Sequence, residues 1–185
     1  MNSPEDISIK NLAKSIRLLL LDVDGVLTDG RIILHSNNEE SKNFHVHDGI
    51  GIKLAQSAGL TVGIITSRTS SVVSERAKEL AIDELVQGSQ NKLLSLNKLV
   101  SKYKINHSQT AYIGDDLQDI PILESVGLPM SVNNAISLVK DSCIYVSESD
   151  GGKGAVREAV EWLLDKRGEL TTVRDKLLNH YRTLQ

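Results

Sequence analysis

Apolar and polar positions along the chain alternate between two kinds of stretch: short continuous apolar runs and longer amphipathic segments. The first apolar run is Leu18-Leu19-Leu20-Leu21, and with its flanks it predicts a strand over 17–23. A continuous run of that length suits a strand buried on both faces of a parallel sheet. Similar runs predict strands at 60–65, 84–86 and 109–113, with further short strands near Met130 and Ile144. Between them the 3.6-residue period predicts helices. One starts at Asp48 as N-cap and stops at Gly59, and others span 70–80, 91–103, about 117–125 and 155–165, the last with Trp162 on its apolar face. The residues before Arg17 form a short helix in this reading, and 170–181 a last helical or frayed tail. Strands that alternate with helices imply right-handed βαβ crossovers, hence an α/β fold on one parallel sheet. One segment breaks the alternation. Two short β-prone runs, 31–35 and 42–46, flank Ser36-Asn37-Asn38 and predict a hairpin. It leaves the chain just after the first strand, so it is either a flap over that strand's end or a decoration.

Composition narrows this only a little. A chain of 185 residues with 40% hydrophobic and 24% charged positions is an ordinary globular domain, and no linker or repeat divides it. Aromatic content of 3% makes the core aliphatic. A net charge of −3 carries no basic footprint for nucleic acid, so an anionic ligand needs locally placed cations. Cys143 is the single cysteine, which leaves no intrachain disulfide and no cysteine-based zinc site. Its apolar surroundings suggest an inert thiol. No apolar run reaches membrane-spanning length, and the acidic N-terminus lacks a signal-peptide pattern, so the expectation is a cytoplasmic protein with no membrane partner.

Candidate chemistry begins where the first strand ends. Asp22 and Asp24 stand one residue apart with Gly25 behind them. Ligands of open α/β sheets bind outside the carboxyl ends of the strands, and in extended chain residues two apart share a side. Both carboxylates therefore face the expected crevice. A bare Asp-x-Asp-Gly is also an ordinary polar turn. Three further groups fall at strand ends or helix starts: Thr66 after the strand at 60–65, Lys92 opening a helix, and Asp115 with Asp116 after the strand at 109–113. Singly these read as an N-cap, a solvated lysine and a turn. Together, and in order, they mark one site.

The string DVDGVLTDG resembles the first motif of the haloacid dehalogenase-like phosphohydrolases, and the likeness extends over about 18–164. It is nearest to the 3-deoxy-D-manno-octulosonate 8-phosphate (KDO 8-phosphate) phosphatase branch, through DVDGVLTDG, FHVHDGIGIK, GIITSR, QNKL, AYIGDDLQD and GGKGAVRE. That resemblance implies a capless, Rossmann-like three-layer fold with a β-hairpin flap at about 31–46, a tail at about 166–185, and a homotetramer in which hairpins and tails reach neighbouring subunits. It implies a magnesium-dependent phosphomonoesterase of lipopolysaccharide biosynthesis acting on a phosphorylated sugar acid. Asp22 is then the nucleophile and Asp24 the general acid/base. Asp22, the Asp24 backbone carbonyl and Asp115 hold Mg2+, an oxygen-liganded cation that takes few protein carboxylates. Thr66 and Lys92 bind the phosphoryl oxygens. Asp116 and Asp119 steady metal waters or Lys92. His45, Val46, His47, Asp48, Gly49, Lys53, Arg68 and Arg76 match positions that hold the sugar acid.

The chain departs from the branch in two places. It has Thr66-Ser67-Arg68 where Thr-Gly-Arg is usual, and Val46-His47-Asp48-Gly49 where Val-Arg-Asp-Gly is usual. The second exchange replaces a permanent cation with a side chain mostly neutral at pH 7. Phosphatases of the nine-carbon sialic acid or KDN 9-phosphates share the catalytic motifs but tend to carry Thr-Gly-Glu, so Arg68 favours the eight-carbon substrate. A receiver-like phospho-acceptor domain uses similar residues in another order, its lysine last, whereas here Lys92 precedes Asp115. Lastly, Gly151-Gly152-Lys153-Gly154 is either a flexible lead into the next helix or a movable cover that brings Lys153 or Arg157 onto the anion.

Overall fold

A computed structural model describes residues 4–183 apart from Asn38, so the Asn38 part of the expected hairpin turn lies outside the described residues. After helix α1 (Pro4–Ser15) the chain enters strand β1 (Leu18–Leu21), which is completely buried. The sheet is completed by β4 (Thr61–Ile65), β5 (Glu84–Val86), β6 (Thr110–Gly114), β7 (Leu128–Ser131) and β8 (Tyr145–Val146). Their order is β5-β4-β1-β6-β7-β8, and every pairing is parallel. The first strand in sequence is thus central, with Leu21 facing Ile64 on one side and Ile113 on the other. β1 is shorter than the strand expected over 17–23, but Asp22 N still donates to Ile113 O at 3.0 Å. The ladder therefore fixes the backbone of the first acidic residue.

Helices cover the sheet. α1, α2 (Val46–Ser57), α7 (Ala155–Arg167) and α8 (Leu170–Thr183) pack on one another, while α4 (Lys92–Tyr103) packs on the short α5 (Ile120–Leu123). Helices α3 (Ser71–Glu79) and α6 (Ser137–Asp141) complete the set. Ser70 and Asn91 cap α3 and α4 by accepting from Val73 N and Leu94 N. The core is aliphatic, as the composition requires; Tyr112 is the one fully buried aromatic among the described residues.

Two expectations need correction. The hairpin strands are β2 (Ile33–Leu34) and β3 (Glu40–Ser41), so the second strand precedes 42–46 and Val46 already belongs to α2. Asp48 does not cap α2. It lies in that helix's first turn and turns to α7, accepting from Arg157 N at 2.9 Å. The reason is visible at the start of α7, where Gly154 sits at φ 104° and offers no side-chain cap. The uncapped N–H groups of that helix take their acceptor from a helix 109 residues away, which no local pattern reveals.

Candidate active site

The carboxyl ends of β1, β4 and β6 bring together Asp22, Thr66 and Asp115, and the start of α4 adds Lys92. Asp22 is 2% exposed, and its Oδ1 lies 3.0 Å from Lys92 Nζ. The same ammonium meets Asp119 Oδ1 at 2.6 Å and Tyr112 Oη at 3.2 Å. Three acceptors thus match its three protons. Tyr112 Oη donates to Asp119 Oδ1 at 2.6 Å, and Asp119 Oδ2 accepts from Asp115 N and Asp116 N at 2.9 and 3.2 Å. Asp119 is therefore fully engaged and braces Lys92 from behind. Asp116 serves the turn, accepting from Leu117 N at 2.7 Å, whereas Asp119 holds Lys92.

Oxygens of Asp22, Asp115 and Asp119 lie within 4.8 Å of one another. Burial pushes Asp22 up to about 6 despite Lys92. Burial, with Asp22 and Asp119 beside it, pushes Asp115 up to about 8. Burial pulls the Lys92 ammonium down, but Asp22 and Asp119 outweigh it and the net shift is upward. The site holds more negative charge than one lysine neutralises. Asp115 Oδ1 is buried without a hydrogen-bond partner. Asp119 has no lone pair to spare. Asp22 and Asp115 therefore fit a hard, oxygen-liganded cation, with Asp119 as support. Gly25 makes this possible: its φ is +96°, and a Cβ there would lie 2.0 Å from Asp115 Oδ2.

Asp24 faces the other way, toward the flap. Its Oδ1 is bonded to Lys42 Nζ, and its Oδ2 lies 3.6 Å from Arg68 Nε. Arg68 also reaches Glu40 at 3.4 Å. A hydrogen bond from Ser70, with Lys42 and Arg68 nearby, holds the Glu40 carboxyl below its usual range. Lys42 and Glu40 escape sequence reasoning, because a lysine in a polar stretch has no periodicity or motif to mark it. Tyr112 escapes too, although an aromatic hydroxyl in an otherwise aliphatic strand is a signal.

The remaining expected residues divide. Thr66 is buried at the end of β4, its N–H on Val86 O at 2.9 Å. Arg76 pairs with Glu79 at 2.8 Å, lies over the Phe44 ring, and lines a water-sized cavity with His45, Asp48 and Gly49. His45 Nδ1 and Arg76 Nε are buried there without a partner. Val46 and His47 are exposed. Lys53 is spent on Leu80 O at 2.5 Å, tying α2 to the end of α3. At the glycines after β8, a Cβ on Gly151 would lie 1.7 Å from Gly25 O, and one on Gly152 2.5 Å from Asp29 N. These glycines permit close packing on the loop after β1. Asn134 reinforces it, donating to Gly25 O at 3.2 Å and accepting from Gly151 N at 2.5 Å. Lys153 pairs with Asp150 at 2.9 Å, and Arg157 pairs with Glu161.

Residues 82–159 match the family model described as haloacid dehalogenase-like hydrolase. A curated relative from Escherichia coli strain B / BL21-DE3, a 3-deoxy-D-manno-octulosonate 8-phosphate phosphatase, is 44% identical over 90% of this chain and 89% of its own. The chain belongs to the haloacid dehalogenase-like hydrolases. Another relative of the same description, from Yersinia pestis, is 41% identical over 82% of this chain and 81% of its own. Among solved structures, the hydrolase resembles the 3-deoxy-D-manno-octulosonate 8-phosphate phosphatase of Moraxella catarrhalis in complex with magnesium, phosphate and KDO. The TM-score is 0.88 and the identity 39%, over 92% of this chain and 98% of that one. The cobalt-bound phosphatase of Haemophilus influenzae gives a TM-score of 0.83 at 35% identity, over 86% and 93% of the two chains.

Proposed function

We propose that this hydrolase is a magnesium-dependent phosphomonoesterase that converts KDO 8-phosphate to KDO and inorganic phosphate, in the cytoplasm and in lipopolysaccharide biosynthesis. The observation that carries the reading is the surplus of carboxylate around Lys92, with Asp115 Oδ1 unpartnered beside Asp22. The curated relatives of this description support the choice of substrate. Asp22, Asp115 and the Asp24 backbone carbonyl hold Mg2+, which when bound screens Asp22 from a dianionic phosphate and orients both.

The chain's own groups carry the two steps. Asp22 attacks phosphorus; the Asp22 O–P bond forms, the P–O bond to the sugar breaks, and Asp24 gives its proton to the departing alkoxide. Asp24 then takes a proton from water, whose oxygen bonds phosphorus as the Asp22 O–P bond breaks. Thr66 and Lys92 bind the phosphoryl oxygens, where the transition state spreads its charge, Lys92 with the proton that in this structure faces Asp22. Arg68 offers the sugar carboxylate paired donors at the edge of the site. The segment His45, Val46, His47, Asp48 and Gly49, with Arg76, completes the sugar pocket beside the flap. We take the working form to be a homotetramer, in which exposed Leu34 and Val46, each 73% exposed, are buried against a neighbouring subunit.

Phosphate release measured on KDO 8-phosphate, the sialic acid and KDN 9-phosphates and p-nitrophenyl phosphate tests the reading, with Mg2+ and with EDTA. The expected result is metal-dependent turnover with KDO 8-phosphate preferred. Preference for a nine-carbon substrate overturns the assignment of the sugar. A single stable phosphorylation without turnover overturns the enzyme class.

A further inference from the structure

We infer that Lys42, on the flap, is the residue that positions Asp24 for proton transfer; this rests on the reading of Asp24 as the general acid/base. Lys42 follows β3 directly. Its side chain is only 1% exposed, an unusual state for a lysine. A buried ammonium needs an anion, and among the described residues Asp24 is the only carboxylate within ion-pair distance of it. The two oxygens of Asp24 are thereby made unequal. Oδ1 is bound to the buried Lys42, while Oδ2 faces Arg68, which is 41% exposed and shared with Glu40. Lys42 fixes the rotation of the carboxylate from its buried side. Oδ2 is left on the open side, where the leaving oxygen and then the water must come within hydrogen-bond reach. Proton transfer accordingly runs through Oδ2: it delivers the proton to the sugar alkoxide as the P–O bond breaks, and it collects one from water as the Asp22 O–P bond breaks. Lys42 acts through Asp24 Oδ1, so it is a positioning residue. The flap is then part of the catalytic apparatus of its own subunit, rather than a decoration.

Lys42→Met and Lys42→Arg in the full chain with Mg2+ test this, beside Asp24→Asn. In Lys42→Met, kcat on KDO 8-phosphate falls roughly ten- to a hundred-fold, while KM stays within about threefold, because an acid/base group is misplaced and not a binding contact. On p-nitrophenyl phosphate the same variant gives a rapid burst of about one nitrophenolate per active site before a slow steady rate. That leaving group departs without a proton, but attack by water still needs the base. Lys42→Arg keeps the cation and restores part of the rate. Unchanged kcat overturns the inference, as does a rise in KM alone or a parallel loss on both substrates with lowered melting temperature and no burst. If Asp24→Asn keeps wild-type turnover, the acid/base reading itself fails. If Asp24→Asn is inactive while Lys42→Met behaves as wild type, only the role of Lys42 fails.

Discussion

Lys92 and Lys42 are both buried cations set against catalytic carboxylates, yet they are held in different ways. Lys92 opens a helix whose first turn is fixed by the Asn91 cap, and its ammonium meets Asp22, Asp119 and Tyr112. Lys42 follows a two-residue strand and meets Asp24. The phosphate side is preorganised by the sheet and by groups that hold each other. The flap side is held by the contact it makes. An enzyme gains most from rigidity where charge develops in the transition state, and can leave adjustable the side that admits and releases the sugar.

The strongest way to break this contrast is at its rigid side. Asp22→Asn keeps the size but removes the attacking oxygen and a metal ligand. Turnover by phosphate release should drop on the order of a thousand-fold or more, with the far-ultraviolet circular dichroism unchanged. Next in size is a linkage effect confined to the same side. Burial pushes Asp22 up to about 6 and Asp115 up to about 8, both above their ordinary 3.8. Between those limits the metal-free folded protein binds more protons than the unfolded chain, so its stability falls as pH rises. Added Mg2+ should raise the melting temperature by several degrees at about pH 8.5 and by little at about pH 5. A metal effect independent of pH would contradict the charge surplus. Arg68→Ala sharpens the contrast from the flap side. We expect KM for the sugar acid phosphate to rise roughly tenfold and that for p-nitrophenyl phosphate less than about twofold. Equal rises would move Arg68 to the phosphate side. The smallest effect belongs to Lys153→Ala, which breaks an exposed pair with Asp150. Its kcat and KM should stay within about twofold of wild type.

The same division governs what the sequence discloses. Asp22, Thr66, Lys92 and Asp115 are readable because each follows a buried apolar run or opens a periodic one, so local pattern and position in the crevice coincide. The parallel sheet is readable for the same reason. Lys42, Glu40 and Asn134 are not, because their partners are chosen by how separate loops are brought together. Asp48 shows how this misleads: its type and position fit an N-cap of α2, and it is an N-terminal acceptor, but for α7. Gly151 and Gly152 read as flexible because glycine serves both freedom and close approach, and only the approach of Gly151 to Gly25 and of Gly152 to Asp29 reveals the second use.

The packing of Gly151 against Gly25, with Asn134 bonded to both, has a consequence for how the protein is made. The loop that carries Asp24 leaves the ribosome before the groups that complete its backbone, which lie 109 residues or more later in the chain. Strand β1 is likewise flanked by β4 and β6, so neither neighbour is available when it is synthesised. Contacts of such long sequence separation form late. A nascent chain that ends before the Gly151 segment therefore has its nucleophile but not the backbone support around it. The full support of the nucleophile's loop is therefore expected only once the last strands and α7 are in place.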